Sequence, residues 1–160
     1  MTNDNYNYEG ERKDGIPHGQ GTMFFNNGGR YVGCWKEGTF HGQGTLITSD
    51  GTFLAGSWEN GKMTSGAMLM EEKMYVGGFK DLIFQGRGIL SFSGNFELCG
   101  EFKDGMLNGS GIMNTSAGMI EGIFENGNLK GSVSIFNKEG KILTGEWGNK
   151  EKIEKLNRIV

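Results

Sequence analysis

Histidine and cysteine, which often bind metals or take part in catalysis, occur as isolated residues along this 160-residue chain. The two histidines, His18 and His41, each begin the phrase His-Gly-Gln-Gly, which is typical of a repeated turn position. A metal site needs several ligands that converge on one ion, and neither histidine has a Cys or a second His at ligand spacing. The sequence therefore predicts no metal site.

The two cysteines, Cys34 and Cys99, are too few for a disulfide framework. The repeats described below place them about six strands apart, at roughly 4.8 Å per strand. A disulfide requires Cα atoms within about 7 Å of each other. We therefore expect two ordinary free thiols.

Recurrent Gly-x-Gly pairs have the composition of a phosphate-binding loop, but such a loop leads into a helix and these pairs lead into predicted strands. No serine lies in a nucleophile elbow. Carboxylates recur at one turn position of the repeats, which is typical of a solvated turn rather than an acid and base pair. The sequence thus predicts a protein that is not an enzyme and takes no cofactor. These carboxylates belong to Asp14, Glu37, Asp81 and Asp104.

Composition indicates a periodic fold. The chain has 30 glycines and one proline, yet 11% of its residues are aromatic, whereas disordered glycine-rich chains are poor in large apolar groups. A net charge of −3 argues against nucleic acid as a partner. No apolar run approaches the roughly 18 residues of a membrane span, and the amino terminus lacks the features of a signal peptide. We therefore expect a cytoplasmic or nuclear location unless the protein is carried elsewhere.

One phrase recurs about every 23 residues, and a glycine stands two positions after each start. An aromatic residue stands four positions after each start except in the first copy, which has Arg12. We divide the chain into a flexible amino terminus (1–7), six full repeats and a partial seventh (8–149), and a carboxyl-terminal cap or tail (150–160). The repeats start at Tyr8, Tyr31, Leu54, Tyr75, Leu98, Ile120 and Leu143.

The pattern Tyr-x-Gly-x-Trp, then Gly, then Gly-x-Gly resembles the MORN repeat and covers nearly the whole chain. The resemblance implies roles in cytoskeletal or membrane-proximal assembly, in dimer formation, or as an accessory segment of a larger enzyme. It also implies that any association with the cytoskeleton or a membrane is made through a partner.

Alternation within each repeat predicts a strand that places Tyr or Leu, Gly and Trp or Phe on one face, then a turn such as Lys36 to Gly38, then a second strand. With no helix between repeats, we expect an all-β fold, an elongated single twisted antiparallel sheet of β-hairpin repeats. Glycine within a strand marks close approach of another group, so we expect aromatic rings over a glycine floor.

Two regions depart from the pattern. In the third repeat Ser65 and Ala67 stand where glycines are expected and Leu82 replaces a turn glycine, so we expect a bend or bulge between Lys62 and Phe84. In Lys150 to Val160, apolar residues at near-helical spacing predict a short capping helix or an amphipathic partner-binding tail.

The aromatic positions predict a partly exposed groove for an extended or helical segment of another protein, and exposed sheet edges allow a homodimer. A phosphoinositide-binding tether is the alternative, since Lys13, Lys36, Lys80 and Lys103 share one column, but acidic residues follow them and lipid contact has weak support. A recognition subunit of an enzyme assembly is a further alternative. The groove residues are Tyr8, Tyr31, Trp35, Trp58, Tyr75, Phe79, Phe102, Phe124 and Trp147.

Overall fold

A computed structural model describes residues 6–147, which form thirteen β-strands and no helix. The predicted carboxyl-terminal cap or tail at 150–160 and most of the amino-terminal segment lie outside these residues. The chain divides into two compact units, Met1–Ile83 and Phe84–Val160. The predicted all-β fold of antiparallel hairpin repeats is confirmed. In the described part of the chain, no helix is long and apolar enough to cross a bilayer.

The first unit contains seven strands in chain order, each antiparallel to the next. Strand β1 begins at Tyr6, two residues before the predicted first repeat. The strands are β1 (Tyr6–Lys13), β2 (Ile16–Phe25), β3 (Arg30–Lys36), β4 (Thr39–Ile47), β5 (Phe53–Glu59), β6 (Lys62–Leu69) and β7 (Lys73–Lys80).

The second unit contains the remaining six strands, again antiparallel and in chain order. They are β8 (Ile83–Phe92), β9 (Phe96–Lys103), β10 (Met106–Asn114), β11 (Gly118–Glu125), β12 (Asn128–Asn137) and β13 (Ile142–Trp147).

The two strands of each full repeat are joined by a two-residue turn in which both residues have positive φ, the geometry that follows the natural twist of a hairpin. Glycine fills the second position in five of these six turns, as in Glu37-Gly38 (φ 49° and 78°). The exception is Asp81-Leu82, where leucine holds a φ of 62°. A leucine in this left-handed region is strained, so another interaction must compensate for its presence.

The turns are also tied to the preceding repeat. The amide of Gly38 donates to the carbonyl of Pro17 at 3.0 Å, and the amide of Gly61 donates to the carbonyl of Phe40 at 2.9 Å. In the second unit the amide of Gly127 bonds Leu107 in the same way at 2.9 Å. These hairpin tips are therefore fixed to the preceding repeat by the backbone as well as by the strand ladder.

Glycines pair with glycines along a row that crosses the first unit. In the second unit the row ends at Val133, which pairs with both Gly122 and Gly145. The close backbone approach is real, because a Cβ added at Gly100 would lie 2.6 Å from the carbonyl oxygen of Ser110. The row of the first unit runs Gly10, Gly21, Gly33, Gly44, Gly56, Gly66 and Gly77.

The third repeat is irregular for a different reason from the one expected. Gly66 pairs with Gly56, so the strand glycine is retained, and the prediction that Ser65 and Ala67 replace repeat glycines is wrong. The hairpins of the first, second, fifth and sixth repeats each have a bulge beside the strand glycine, and the bulge between Met63 and Gly66 is one residue shorter than those. The shorter bulge accounts for one of the two residues by which this repeat falls short of 23. The other is lost in the loop between Leu69 and Met74, which has four residues where the loop between Ile47 and Phe53 has five.

The histidines also lie in a place the sequence did not indicate. His18 is within β2 and His41 is within β4, at the bulged part of each strand, so the predicted turn position is wrong. The hairpin turns lie earlier, at Asp14-Gly15 and Glu37-Gly38.

Candidate functional site

The aromatic face of the first unit centres on Tyr31, whose side chain is completely buried. Phe40 stacks on its ring with centroids 3.8 Å apart and planes 6° apart. Trp35 and Trp58 meet the Tyr31 ring edge to face, at 5.1 and 5.6 Å. Such contacts add roughly 0.5–1.5 kcal/mol each beyond the area they bury, so the four rings form one rigid cluster.

Polar atoms anchor the rings to the glycine floor. The indole Nε1 of Trp35 donates to the carbonyl of Gly21, and that of Trp58 donates to the carbonyl of Gly44, both at 3.1 Å. The Tyr31 hydroxyl donates to the carbonyl of Cys34 at 3.1 Å and covers the Cα of Gly44. The predicted packing of rings over strand glycines is therefore confirmed in the first unit.

The expectation that the rings are partly exposed is wrong for eight of the nine predicted residues, which are buried. Trp147 is the exception, with 41% of its surface exposed. Because rings from neighbouring repeats close over one another, a single aromatic face becomes the core of the fold. At the first repeat Arg12 takes the place of an aromatic ring, and its guanidinium lies 4.7 Å from the centroid of the Tyr8 ring.

Three adjoining depressions, all bordered by the half-buried Phe40, form a groove on this face. Their volumes are about 510, 590 and 340 Å³, within the size range of protein ligand sites. We call this surface the Phe40 groove. Its apolar lining is Ile16, Pro17, Met23, Phe25, Trp35, Phe40, Leu46, Leu54, Trp58, Met63, Met68 and Leu82, and Ile47 at the end of β4 also borders one depression.

Of the nine predicted groove residues, Trp35 and Trp58 line the Phe40 groove directly. Tyr8, Tyr31, Tyr75 and Phe79 are also buried in the first unit but do not line it. Phe102, Phe124 and Trp147 belong to the second unit. The sequence analysis overlooked a column nine positions after each repeat start, which is apolar in all six full repeats. In four of them it pairs with an aromatic residue across the hairpin, and in the first it pairs with Arg12. That column is Pro17, Phe40, Met63, Phe84, Leu107 and Leu129.

The rim of the Phe40 groove carries a few charges. Lys62 and Asp81 form an ion pair at 2.6 Å, and the hydrogen bond from Lys62 lowers the pKa of the exposed Asp81 carboxyl. Hydrogen bonds from Thr48 and then from the Thr52 amide lower the pKa of Asp50 at another edge. Both carboxylates therefore remain ionised under all ordinary conditions.

The MORN repeat family matches residues 8–30, 31–53 and 99–118. This chain carries MORN repeats. The first two matches cover most of β1 and all of β2 to β4, so the MORN pattern includes Tyr31, Trp35 and Phe40 and the strand glycines from Gly10 to Gly44. MORN repeats are generally non-enzymatic. The chain has no match among the curated proteins.

The third MORN match lies in the second unit and covers most of the hairpin of β9 and β10. There Phe102 pairs with Leu107 across the hairpin, and both side chains are buried. Phe84 meets the Phe102 ring edge to face at 6.2 Å. This unit thus repeats the core of the first one with smaller side chains, since Leu replaces Phe40.

One polar cluster of the second unit lies on the opposite face of its sheet. Glu97 accepts hydrogen bonds from Ser91, Cys99 and Asn114, at 3.1 to 3.2 Å, and these bonds lower the pKa of its carboxyl. Burial and the neighbouring Glu97 raise the pKa of the Cys99 thiol to about 11. The thiol is therefore protonated at neutral pH, which makes Cys99 an unreactive cysteine.

Proposed function

We propose that this chain is a non-catalytic repeat scaffold that binds an extended or helical apolar segment of another protein in the Phe40 groove. The observation that carries the proposal is the groove itself, an open apolar surface continuous over several strands of the first unit and bordered throughout by Phe40. Apolar and aromatic grooves of this kind receive amphipathic helices or extended peptides.

The repeat spacing supports a peptide as the occupant. Each repeat adds two strands, so equivalent positions recur about every 9.6 Å along the face. This distance is close to the roughly 10 Å that separate residues i and i+7 of a helix or residues i and i+3 of an extended chain. A segment with apolar residues at that period would place successive side chains in successive depressions.

Leu82 gives the proposal a second support. This leucine borders two of the three depressions, is about half exposed, and occupies a turn position where five repeats have glycine. The strain of its left-handed backbone is accounted for if the side chain contributes to binding.

The charges around the groove favour a protein over a membrane surface. The cations among the groove-lining side chains are Arg12, which stacks on Tyr8, and Lys62, which is paired with Asp81. A phosphoinositide headgroup is bound by a concentrated set of unpaired basic residues. In the alternative of a phosphoinositide-binding tether, the lipid would have to be bound by the lysine column, which lies outside the groove.

The test is an affinity pull-down from the native cell with the full chain, comparing wild type with Leu82→Gly. Glycine suits the φ of 62° and removes a groove wall, so the fold is retained while partners are lost. Ile123→Ala is the matched control, because Ile123 is a similarly exposed apolar residue of the second unit. If Leu82→Gly and Phe40→Ala variants that remain folded by circular dichroism both keep every wild-type partner, the groove is not the binding surface.

A membrane role is tested by sedimentation of the wild-type chain with vesicles that contain phosphoinositide. The scaffold proposal expects little binding at physiological salt. Strong binding that weakens as salt is raised would favour the tether instead.

A further inference from the structure

The face of the first unit opposite the Phe40 groove is also apolar. Strand pairing aligns one residue from each of six strands, β2 to β7, in a row that reads Phe, Arg, Ile, Phe, Leu, Met. The adjacent row on the same face contains only Thr, Val and Ala. We call this surface the apolar back face, and its large members are Phe24, Val32, Ile47, Phe53, Leu69, Met74 and Val76.

Six of these seven side chains are between 37% and 50% exposed. Together they present on the order of 500 Å² of apolar surface, as large as the largest patch of a typical monomeric protein. The next row on the same face is polar and internally bonded, since Gln20 donates to Cys34 and Gln43 donates to Ser57. The apolar back face is therefore a bounded patch between that polar row and the loops at the strand ends.

The hairpin fold does not require an apolar face here. The corresponding face of the second unit is mixed. One row reads Ile89, Cys99, Ile112, Glu121, Ser134 and Thr144, and the next reads Ser91, Glu97, Asn114, Met119, Phe136 and Ile142. Six of these twelve positions are polar, so the repeats do not need an apolar residue at every back-face position. The apolar side chains on this face therefore belong to the surface of the first unit and are not part of its core.

We propose that the apolar back face binds the same face of a second copy of this chain. A two-fold axis parallel to the strands, between β4 and β5, maps the patch onto itself and pairs Phe24 with Met74 and Ile47 with Phe53 of the other copy. This is a self-complementary interface of the kind most homodimers use, with two sheets packed face to face. The Phe40 grooves of the two copies then face outward, so the proposal is independent of what those grooves bind.

Charge supports this particular axis. Arg30 is the one charged residue in the first apolar row and is exposed. The proposed axis places it opposite Leu69 of the other copy, beside the tight turn that carries the exposed Glu71 and Glu72. An axis perpendicular to the strands would instead bring the two Arg30 side chains together. The chosen arrangement therefore forms two arginine–glutamate contacts and avoids one repulsion.

The interface area is sufficient for a dimer. Two patches that meet would bury on the order of 1,000 Å², at the lower end of specific interfaces. We therefore expect a reversible dimer whose population depends on protein concentration, with dissociation in the micromolar range rather than an obligate assembly.

The first test measures the mass of the full chain by sedimentation equilibrium over a hundredfold concentration range. The wild type should shift from monomer to dimer. Phe53→Glu should raise the dissociation constant at least 100-fold, because it buries a carboxylate beside the two-fold axis against Ile47 of the other copy. Ile123→Glu is the control, since it adds the same charge to an exposed apolar residue outside the patch. A wild type that remains monomeric, or a dimer that Phe53→Glu leaves unchanged, overturns the proposal.

The second test uses charge exchange, which does not depend on how any single variant folds. Arg30→Glu should weaken the dimer, and so should Glu71→Arg with Glu72→Arg. A mixture of the two variants should form a heterodimer of near wild-type affinity, because both contacts are then attractive. One is the native contact between Arg30 and the two glutamates, and the other has its signs reversed. Failure of the mixture to associate more tightly than either variant alone overturns the proposed axis.

Discussion

Gly44→Ala tests the central packing idea, which is that the strand glycines make room for aromatic rings. An added Cβ would lie 2.7 Å from Cε2 of Tyr31 and closer still to Cζ and the hydroxyl oxygen. The Tyr31 ring cannot move aside, because it is completely buried between Phe40 and the two tryptophans. Gly44 does not have a positive φ, so any cost reports the collision and not backbone strain.

The expected loss of stability is about 3 kcal/mol. Overpacking a closed core costs roughly 1–3 kcal/mol, and displacing Tyr31 gives up its hydrogen bond to Cys34, worth about 1 kcal/mol. For a chain of this size the loss corresponds to a fall in Tm of about 10 °C. Gly61→Ala is the control, since a Cβ there meets no atom within 4 Å and only its φ of 80° is strained, at a cost of about 1 kcal/mol.

The assay is urea unfolding followed by tryptophan fluorescence and by circular dichroism, since Trp35 and Trp58 flank the site. In a Tyr31→Phe background the cost of Gly44→Ala should fall by about 1 kcal/mol, because the nearest atom is gone. Equal losses for Gly44→Ala and Gly61→Ala would show that the rings do not press on the glycine floor, and the account of the core would be wrong.

The remaining predictions concern ionisation and the end of the glycine row. Burial, followed by the nearby Cys34, raises the pKa of Tyr31 above its ordinary 10.0. As pH rises above about 10, the unfolded chain loses this proton before the folded chain does, so the stability of the fold should fall. Tyr31→Phe should flatten the pH dependence of urea unfolding. In a Cys34→Ser background, Cys99 should react slowly with iodoacetamide at pH 8, and Glu97→Gln should raise the rate by lowering the thiol pKa; equal rates would contradict the assigned cause. Val133→Gly should cost about 2 kcal/mol in thermal unfolding because a buried side chain is lost from the core, and a neutral effect would mean that valine fills no space there.

The sequence predicted the parts of the fold that repeat. Alternation at Tyr31, Gly33 and Trp35 specifies a strand with one aromatic face, and the pair Glu37-Gly38 specifies a hairpin turn. Both signals are local, because strand faces alternate every residue and positive φ values favour glycine. Both signals could be recognised because the sequence contains seven aligned copies of the repeat.

The parts that depend on neighbouring repeats were not predicted. The burial of Tyr31 arises from rings that belong to other strands, and no spacing within one repeat shows how those rings close together. Phe40 was overlooked because its column contains Pro, Met, Phe and Leu rather than one residue type. The shortened bulge at Met63 was misread as lost glycines, because an alignment without pairing cannot tell a deletion from two substitutions.

The ties between successive hairpin tips, such as Gly38 to Pro17 and Gly61 to Phe40, also determine how the first unit would respond to mechanical force. Every strand is bonded to its neighbours in the chain, so tension applied across the strands loads one ladder and one tip contact at a time. Each released repeat would free about 23 residues, or roughly 75 Å of extended chain. The unit would therefore lengthen in discrete steps, and each step would correspond to the unfolding of one repeat.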